Sequence, residues 1–388
     1  MFLETEQGTY PVFMFSPRHS FKEFYEWQNP VCETYGGEYR YRFHKEPRIE
    51  IQYELIKRDT DCLVIRNLFK EYVSKPWIVP VWSEDSYVGA LSSNTTFVPF
   101  DTSFGNYSRF AFIYESDAKN EGAEIVEKRA DGIVVKKPLI NNYKRAIVMP
   151  AYLGFVKDNI GYEQVQGNTV FSFNFKIIET PPYIGKKTFP EEGEYSTAQC
   201  LFDNYTFTDI RENVYSNVEF IDNGFGVMAV EPTRLALTNT GTLNYLASTK
   251  AQQWRWKQFL YFLSGKYTPF YISAPHSQSK IVYLHKVYVD DYIIKDVVEG
   301  TYFSDTGRFP QITCYYDPYL NIVEVVQILN AIRYQNTNSE IVFTDRALFF
   351  DEGYRWEIVN QCRLDTNRVT LDYHDDIMEC SVFVRILR

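Results

Sequence analysis

The chain is poor in the residues that build most chemical sites: its 388 residues include only five histidines and six cysteines. No two cysteines form a CxxC pair, which argues against a metal ribbon or a dense disulfide framework and favours reduced, buried thiols. The most apolar run, WIVPVW at 77–82, is far shorter than the about 20 residues that cross a bilayer. The opening residues, MFLETE, lack the features of a secretion signal. We therefore expect a protein made in a cytoplasm.

Positive charge is also in short supply, with 40 Lys and Arg against 50 Asp and Glu, for a net charge of -10. This balance argues against a protein that grips duplex nucleic acid through its phosphates. Aromatic residues, in contrast, reach 17% of the chain, with 31 Tyr and 30 Phe. Aromatic and β-branched residues favour strands over helices. The composition therefore predicts a mainly β fold, a β-rich α+β protein.

Short segments with strand periodicity fill most of the chain. Polar and apolar residues alternate at 48–55, 169–177 and 381–387, as in half-buried strands. Two segments have helical spacing instead. The first runs from Leu63 to Val73 after the start signal at 59–61, and the second carries an apolar stripe from Trp256 to Leu263. For the second helix, Thr249 with Gln252 predicts a capping box and Gly265 predicts the stop.

These helices anchor an internal repeat. The segment 69–74, FKEYVS, matches 259–264, FLYFLS, and the same offset of 190 continues through the next strand to Ser83 and Ser273 (273 − 83). Upstream, 46–48 is matched with 231–234, and downstream 175–178 is matched with 384–387. We therefore predict two related β-sandwich or barrel-like domains, each with one short packed helix. Their predicted ranges are 1–180 and 181–388, with the join near 181–200.

No established catalytic motif is present: the chain lacks a phosphate-binding glycine loop, a GxSxG elbow and an HExxH pair. In an extended strand, Asp372, His374 and Asp376 would share a face and could bind a metal. The alternative is a solvated turn between two strands, and we favour it because polar clusters between alternating strands are usually loops.

Other candidates for chemistry are equally unspecific. A glycosidase would need two carboxylates at a defined separation across a cleft, which a sequence cannot show, and a cysteine nucleophile would need an activating base. The candidates for these roles are Glu191, Glu192, Glu194, Asp290, Asp291, Cys32 and Cys62. We predict no catalytic, cofactor-binding or metal-binding residue, no cofactor and no enzymatic activity.

Tryptophans offer a different kind of site, since aromatic faces can bind the rings of a glycan. We assign Trp77, Trp82 and Trp256 to core packing because they lie in the two helix–strand units. Trp27 and Trp254 remain open as glycan platforms.

Motifs at both ends of the chain carry a resemblance. EWQNPV at 26–31, GEYR at 37–40 and EPR at 46–48 resemble an E-W-x-T-D-V, G-x-E-x-R and P-R series, although Asn29-Pro30 replaces Thr-Asp. RLDTNRVTLDY at 363–373 is similar to the R-L-x-x-D-x-V-x-I-x-Y close of the same proteins. These are tail-tip and baseplate proteins of long-tailed bacteriophages, of the distal tail protein or upper hub type.

The resemblance implies a structural virion protein without enzymatic activity. Such proteins form a ring, here a homo-oligomer of three or six copies, that joins the tail tube to the tip and to other baseplate, hub or fibre proteins. DNA passes through the channel without specific binding, and the net charge of -10 would let it slide. The implied location is the virion tail tip, after synthesis in the host bacterial cytoplasm, with no membrane. The alternatives are a receptor- or glycan-binding tail module and, more remotely, a glycan or peptidoglycan hydrolase.

Overall fold

A computed structural model describes most of the chain. The described residues are 2–387 without 18–19, 35–36, 158–159, 166–167, 186–199, 202–204, 208–217, 223, 225–227, 233–238, 274–282, 288–291, 297–310, 317–321, 334–338 and 345–354. Within them the fold is mainly β with two α-helices, which confirms the predicted fold class.

The N-terminal half has two short hairpins near its start and a long strand, Tyr143–Val156, near its end. Its elements are β1 (Phe2–Thr5), β2 (Gly8–Pro11), β3 (Ser20–Glu26), β4 (Val31–Thr34), β5 (Gly37–Arg40), β6 (Arg48–Lys57), α1 (Asp59–Tyr72), β7 (Trp77–Pro80), a 3₁₀ turn (Trp82–Glu84), β8 (Ser86–Leu91), β9 (Phe97–Pro99), β10 (Phe110–Ser116), β11 (Lys119–Arg129), β12 (Gly132–Val135), β13 (Tyr143–Val156), β14 (Gly161–Val165) and β15 (Asn168–Ile177).

The C-terminal half has a second series of strands around one helix. Its described elements are β16 (Cys200–Leu201), β17 (Tyr205–Phe207), β18 (Val218–Ile221), β19 (Ala229–Pro232), β20 (Asn239–Ala247), α2 (Lys250–Leu263), β21 (Phe270–Ser273), β22 (Tyr283–Val287), β23 (Tyr292–Asp296), β24 (Gln311–Tyr316), β25 (Ile322–Arg333), β26 (Ser339–Thr344), β27 (Arg355–Leu364), β28 (Arg368–His374) and β29 (Ile377–Ile386).

Both helices lie where the apolar spacing predicts them. The Thr249 side chain accepts a hydrogen bond from the Gln252 backbone N–H at 3.2 Å, as the predicted cap requires. Helix α2 ends at Leu263, and the next two residues, Ser264 (φ 51°) and Gly265 (φ 64°), are in the left-handed region. In its core-facing stripe, Trp256 stacks on Tyr245 of the preceding strand, with ring centroids 4.1 Å apart. Each helix therefore packs one apolar face against its own sheet.

The two halves have the same strand pairing, residue for residue, in their central strands. In the first half Lys57 pairs with Thr169, and in the second Ala247 pairs with Met378. Residues of β6 therefore correspond to β20 with an offset of 190 (247 − 57), and those of β15 to β29 with an offset of 209 (378 − 169). The same offsets relate the other ends of the ladders, where Glu50 faces Lys176 and Thr240 faces Arg385.

The equivalence extends to the peripheral strands. β13 pairs with β7, β10 and β15, and β27 pairs with β21, β24 and β29. The hairpin β11–β12 has a register shift between Ile125 and Glu127, and the hairpin β25–β26 has one between Ile328 and Asn330. Both residues of the second shift follow those of the first by 203 positions (328 − 125 and 330 − 127). Because bulges are specific local features, a shared bulge indicates one ancestral module rather than a chance likeness of two β-rich folds.

The sequence match suggested one constant offset between the halves, but in the structure the offset varies from element to element. Trp77 pairs with Gly154 and Phe270 with Cys362, so β7 corresponds to β21 with an offset of 193. The first and last residues of α2 follow those of α1 with an offset of 191. The prediction of 190 through Ser273 is therefore wrong, because the loop between helix and strand is longer in the second half. Pro232, which the sequence matched with Pro47, instead lies in the hairpin strand β19.

A single core joins the halves. One cluster of buried side chains extends from Val12 to Val384 and includes residues of both helices, while a smaller cluster lies under β8–β13. The segment 178–185, near the predicted join, forms neither helix nor strand. The boundary near 181–200 stays a prediction, since residues 186–199 lie outside the described part.

No helix among the described residues is long and apolar enough to cross a membrane.

Candidate functional site

The two halves meet edge to edge in one sheet. All seven residues of β3 pair with β28, from Glu26 opposite Arg368 to Ser20 opposite His374. On its other side β3 pairs with β6, so the sheet runs without a break as β14–β15–β6–β3–β28–β29–β20–β17. Phe21 stacks on Tyr373 across the junction, with ring centroids 4.6 Å apart. The junction is thus ordinary sheet pairing between two copies of one module.

A buried group of charges lies beneath this junction. The ammonium group of Lys257 on α2 lies 2.9 Å from a carboxylate oxygen of Glu23 and 2.9 Å from one of Glu84. It also donates to the Ser83 hydroxyl at 2.7 Å, and Ser83 donates to Glu23. Lys257, Glu23 and Glu84 are 2%, 1% and 5% exposed. A cation of one half therefore neutralises carboxylates of the other.

Electrostatics favours the charged lysine. Burial opposes the charge, but Glu23 and Glu84 outweigh it and raise the pKa of Lys257 well above its usual value. Burial, with the nearby Glu23 carboxylate, raises the pKa of Tyr25 and Tyr373 as well. These groups are sealed in the core, where no substrate reaches them, so the arrangement can hold the halves together but offers no acid–base chemistry to a ligand.

Asn29 forms the centre of a second group of contacts between the halves. Its amide donates to the carbonyl of Ser264 at 2.7 Å and to that of His44 at 3.2 Å. Its oxygen accepts from the backbone N–H groups of Phe43 and His44 at 2.8 and 3.2 Å. The Asn367 side chain donates to the Asn29 carbonyl at 3.1 Å. Asn29 is fully buried, so it fixes the loop after β3 onto the end of α2.

An ion pair completes the junction. Arg363, 1% exposed, donates through Nε to Glu38 at 2.8 Å and through its terminal nitrogen at 2.9 Å. It also binds Asp365 at 3.0 Å. Two charge-assisted bonds to one carboxylate hold the planar guanidinium in a fixed orientation. The motifs around Trp27, Glu38 and Arg363, which lie at opposite ends of the sequence, therefore come together where the two halves join.

The structure gives several sequence candidates a structural role. Asp375 and Asp376 form the turn between β28 and β29, while Asp372 pairs with Lys22 at 2.6 Å. Only part of the predicted turn is therefore a turn, because Asp372 and His374 lie in β28 on one face, with His374 Nε2 3.4 Å from a carboxylate oxygen of Asp372. Among the described residues no group of three or more His, Cys, Asp or Glu is arranged to hold a metal. Glu191, Glu192, Glu194, Asp290 and Asp291 lie outside the described residues.

Most of the candidate tryptophans are buried, and Trp254 is the most exposed of the five. Trp27 is 1% exposed and packs against Tyr25 and Tyr261, so it cannot present a face to a glycan. Trp77, Trp82 and Trp256 lie in the core, as predicted. Trp254 is partly buried. Cys32 is exposed and Cys62 is partly buried.

A cleft between the N-terminal hairpin and β11 is lined by Phe2, Glu4, Glu121 and Lys137, among others. Its most buried carboxylate, Glu121, accepts hydrogen bonds from the Ile140 N–H at 2.9 Å and the Tyr143 hydroxyl at 2.9 Å. Glu121 therefore shapes the following loop. Glu4 and Glu124 also line the cleft, where they lie 3.8 Å from Lys137 and 3.4 Å from Lys136.

The charged junction was missed by sequence reasoning, although a signal was present. Lys257 lies between Trp256 and Phe259, in the apolar stripe of its helix, and Glu23 shares the core-facing side of β3 with Tyr25. A charged residue at a core-facing position of a helix or strand indicates a buried partner that pairs with the charge. The identity of that partner depended on an edge pairing of strands about 350 residues apart.

No protein-family model matches the chain, and no curated protein matches it.

Proposed function

We propose that the chain is a structural protein of a phage tail tip or baseplate, whose copies assemble into a ring between the tail tube and the tip. Its function is the assembly itself, with DNA passing through the channel without specific binding. It acts without catalysis and without a cofactor. Its neighbours are further copies of the chain and other tube, hub or fibre proteins.

The observation that carries this proposal is the junction of β3 with β28. Two copies of one module are already joined edge to edge within the chain, and a module that binds its own copy in this way is suited to repetition. Heterologous contacts of this kind generate closed rings when the rotation closes. The motifs that resemble phage tail-tip proteins supply one contact of this junction, the ion pair of Glu38 with Arg363.

Labelling of virus particles tests the proposal. An antibody against the chain, applied to particles of the virus that encodes it, should place gold at the tail tip. Label on the head or along the shaft, or particles without the chain, would reject the proposal. Particles from the same virus with the gene disrupted serve as the control and should lose both the label and the joined tail.

A second function, binding of a glycan receptor, is favoured by one exposed feature. Tyr39, Tyr41 and Phe43 are 63%, 51% and 68% exposed and occupy alternate positions from the end of β5 to the bend at Phe43. Exposed aromatic faces of this kind can serve as platforms for the rings of a glycan. Binding of host surface glycans to the purified chain, lost in Tyr39→Ala and Phe43→Ala but kept in the exposed control Tyr87→Ala, would support this function. Equal binding by all three variants, or no binding by the unchanged chain, would reject it.

A further inference from the structure

Equivalent strands of the two halves differ in what covers them. Because Val165 pairs with Asn168 and His374 with Ile377, β14 corresponds to β28 with an offset of 209. Leu371 on β28 is fully buried, whereas its counterpart Tyr162 on β14 is 60% exposed. The reason is that β28 has β3 on its outer edge, whereas β14 pairs only with β15 among the described strands.

The helices show the same difference. On α2, Lys257, Tyr261 and Ser264 are at most 2% exposed. Their counterparts on α1, at the offset of 191, are Arg66, Lys70 and Val73, and all three are exposed. The covering layer on α2 comes from the other half, since Tyr25 and Trp27 contact Tyr261. One face of α1 and the edge of β14 therefore form a continuous uncovered surface.

The matching open edge lies at the other end of the sheet. Phe207 on β17 pairs with Leu243, the counterpart of Tyr53, which pairs with Phe21 on β3. β17 is therefore the second-half counterpart of the start of β3. It pairs only with β20 among the described strands, so its outer edge is open there.

Building on the ring proposed above, we infer that β17 of one copy pairs with β14 of the next, as β3 pairs with β28 within the chain. The partner is a second copy because each chain carries both open edges, those of β14 and β17. β17 is the counterpart of β3, and β3 covers β28, the counterpart of β14. Phe21 lies opposite Tyr373, so the same register places Phe207 opposite Gln164 of the neighbour. Contacts within and between copies then alternate around one closed sheet.

Cysteine cross-linking in assembled particles tests this register. The encoding virus, lacking its own copy of the gene, is supplied with the full chain carrying both Gln164→Cys and Phe207→Cys, and the particles are oxidised. Non-reducing electrophoresis should show multiples of the chain. Each single variant serves as a control and should give at least ten-fold less cross-linked product. Multiples from the double variant that disappear on reduction support the pairing.

A charge reversal provides an independent measurement. Arg66→Glu, on the uncovered face of α1, should reduce incorporation into particles at least ten-fold, while Arg145→Glu, exposed on β13, should not reduce it. Incorporation of the double-cysteine chain without any cross-link, together with full incorporation of Arg66→Glu, would overturn the edge pairing while leaving the tail-tip function intact. Absence of the unchanged chain from the particles would instead reject the proposed function.

Discussion

The two helices α1 and α2 occupy the same place in two copies of one module, yet only α2 is covered on both sides. Lys257 is 2% exposed and neutralised by two carboxylates, whereas its counterpart Arg66 is exposed and lies over Tyr162, 5.2 Å from the ring centroid. The difference arises from β3, which belongs to the first half but completes the second. The surface formed by α2 and β28 is therefore covered by β3 within the chain, whereas the equivalent surface formed by α1 and β14 is exposed.

The largest expected effect is a loss of stability at high pH, which arises at the buried junction of β3 with β28. Burial raises the pKa of Tyr25, Tyr53, Tyr261 and Tyr373 above that of a free tyrosine, and Lys257 keeps its proton through its carboxylate partners. Each raised pKa stabilises the fold below the unfolded pKa, and that stabilisation is lost as pH rises. Above about pH 10 the free energy of unfolding should fall by roughly 1.4 kcal/mol per group per pH unit.

Denaturant titrations between pH 8 and 11, with tyrosinate absorbance followed in parallel, measure this loss. Unfolding and the final rise of absorbance should coincide. Complete ionisation of all tyrosines in a chain that keeps its native circular dichroism would contradict the buried junction.

Removal of the buried cation should be the most damaging single substitution. Lys257→Met leaves Glu23 and Glu84 without their partner and should cost about 3–5 kcal/mol of unfolding free energy. The matched variant Arg66→Met, at the equivalent exposed position, should change stability by no more than about 0.5 kcal/mol. Chemical denaturation of both variants makes the comparison.

Glu23→Gln combined with Lys257→Met should recover part of the loss, because one unpaired charge is then removed. Equal costs for Lys257→Met and Arg66→Met would show that the two helices are in similar surroundings.

A smaller effect is expected at the second group of contacts. Asn29→Asp replaces an amide donor by a carboxylate that faces the carbonyl oxygens of Ser264 and His44. The loss should be about 2–3 kcal/mol at pH 7. It should shrink as pH falls, since a protonated carboxyl can donate again and its folded pKa is raised. The control Asn67→Asp, exposed on α1, should be nearly neutral, and a loss independent of pH would contradict this account.

The smallest expected difference is one of reactivity. Burial raises the pKa of the Cys380 thiol to about 12, while Cys32 is exposed. In the native chain Cys32 should react with a disulfide reagent about 100-fold faster than Cys380, because the thiolate is the reacting species. Mass spectrometry of the partly labelled chain distinguishes the two. Similar rates would indicate that the core around β29 opens easily.

Local patterns predicted the elements of this fold well. Alternation predicted β6, β15 and β29, and apolar spacing predicted both helices, because each signal depends on neighbours within one element. The repeat was visible at 175–178 and 384–387, where the offset of 209 is uniform. Loop insertions changed the offset elsewhere, so a match of short motifs in one register failed at β21.

The junction could not be predicted in this way. Glu23 and Lys257 belong to different halves, and their proximity depends on β3 pairing with a strand near the other end of the chain. Trp27, left open as a glycan platform, is buried for the same reason. A sequence signals that a charge lies in an apolar stripe, but the partner follows only from the topology.

The pairing of β3 also affects the way the chain is made. Lys22 and Asp372 are bonded across 350 residues of sequence, so translation at about 5–20 residues per second separates them by on the order of 20–70 s. During this interval β3 emerges with one edge exposed, and an exposed edge invites pairing with other nascent chains. β28 therefore covers the open edge of β3 long after β3 itself has been made, and premature termination before β28 would release a product prone to aggregation.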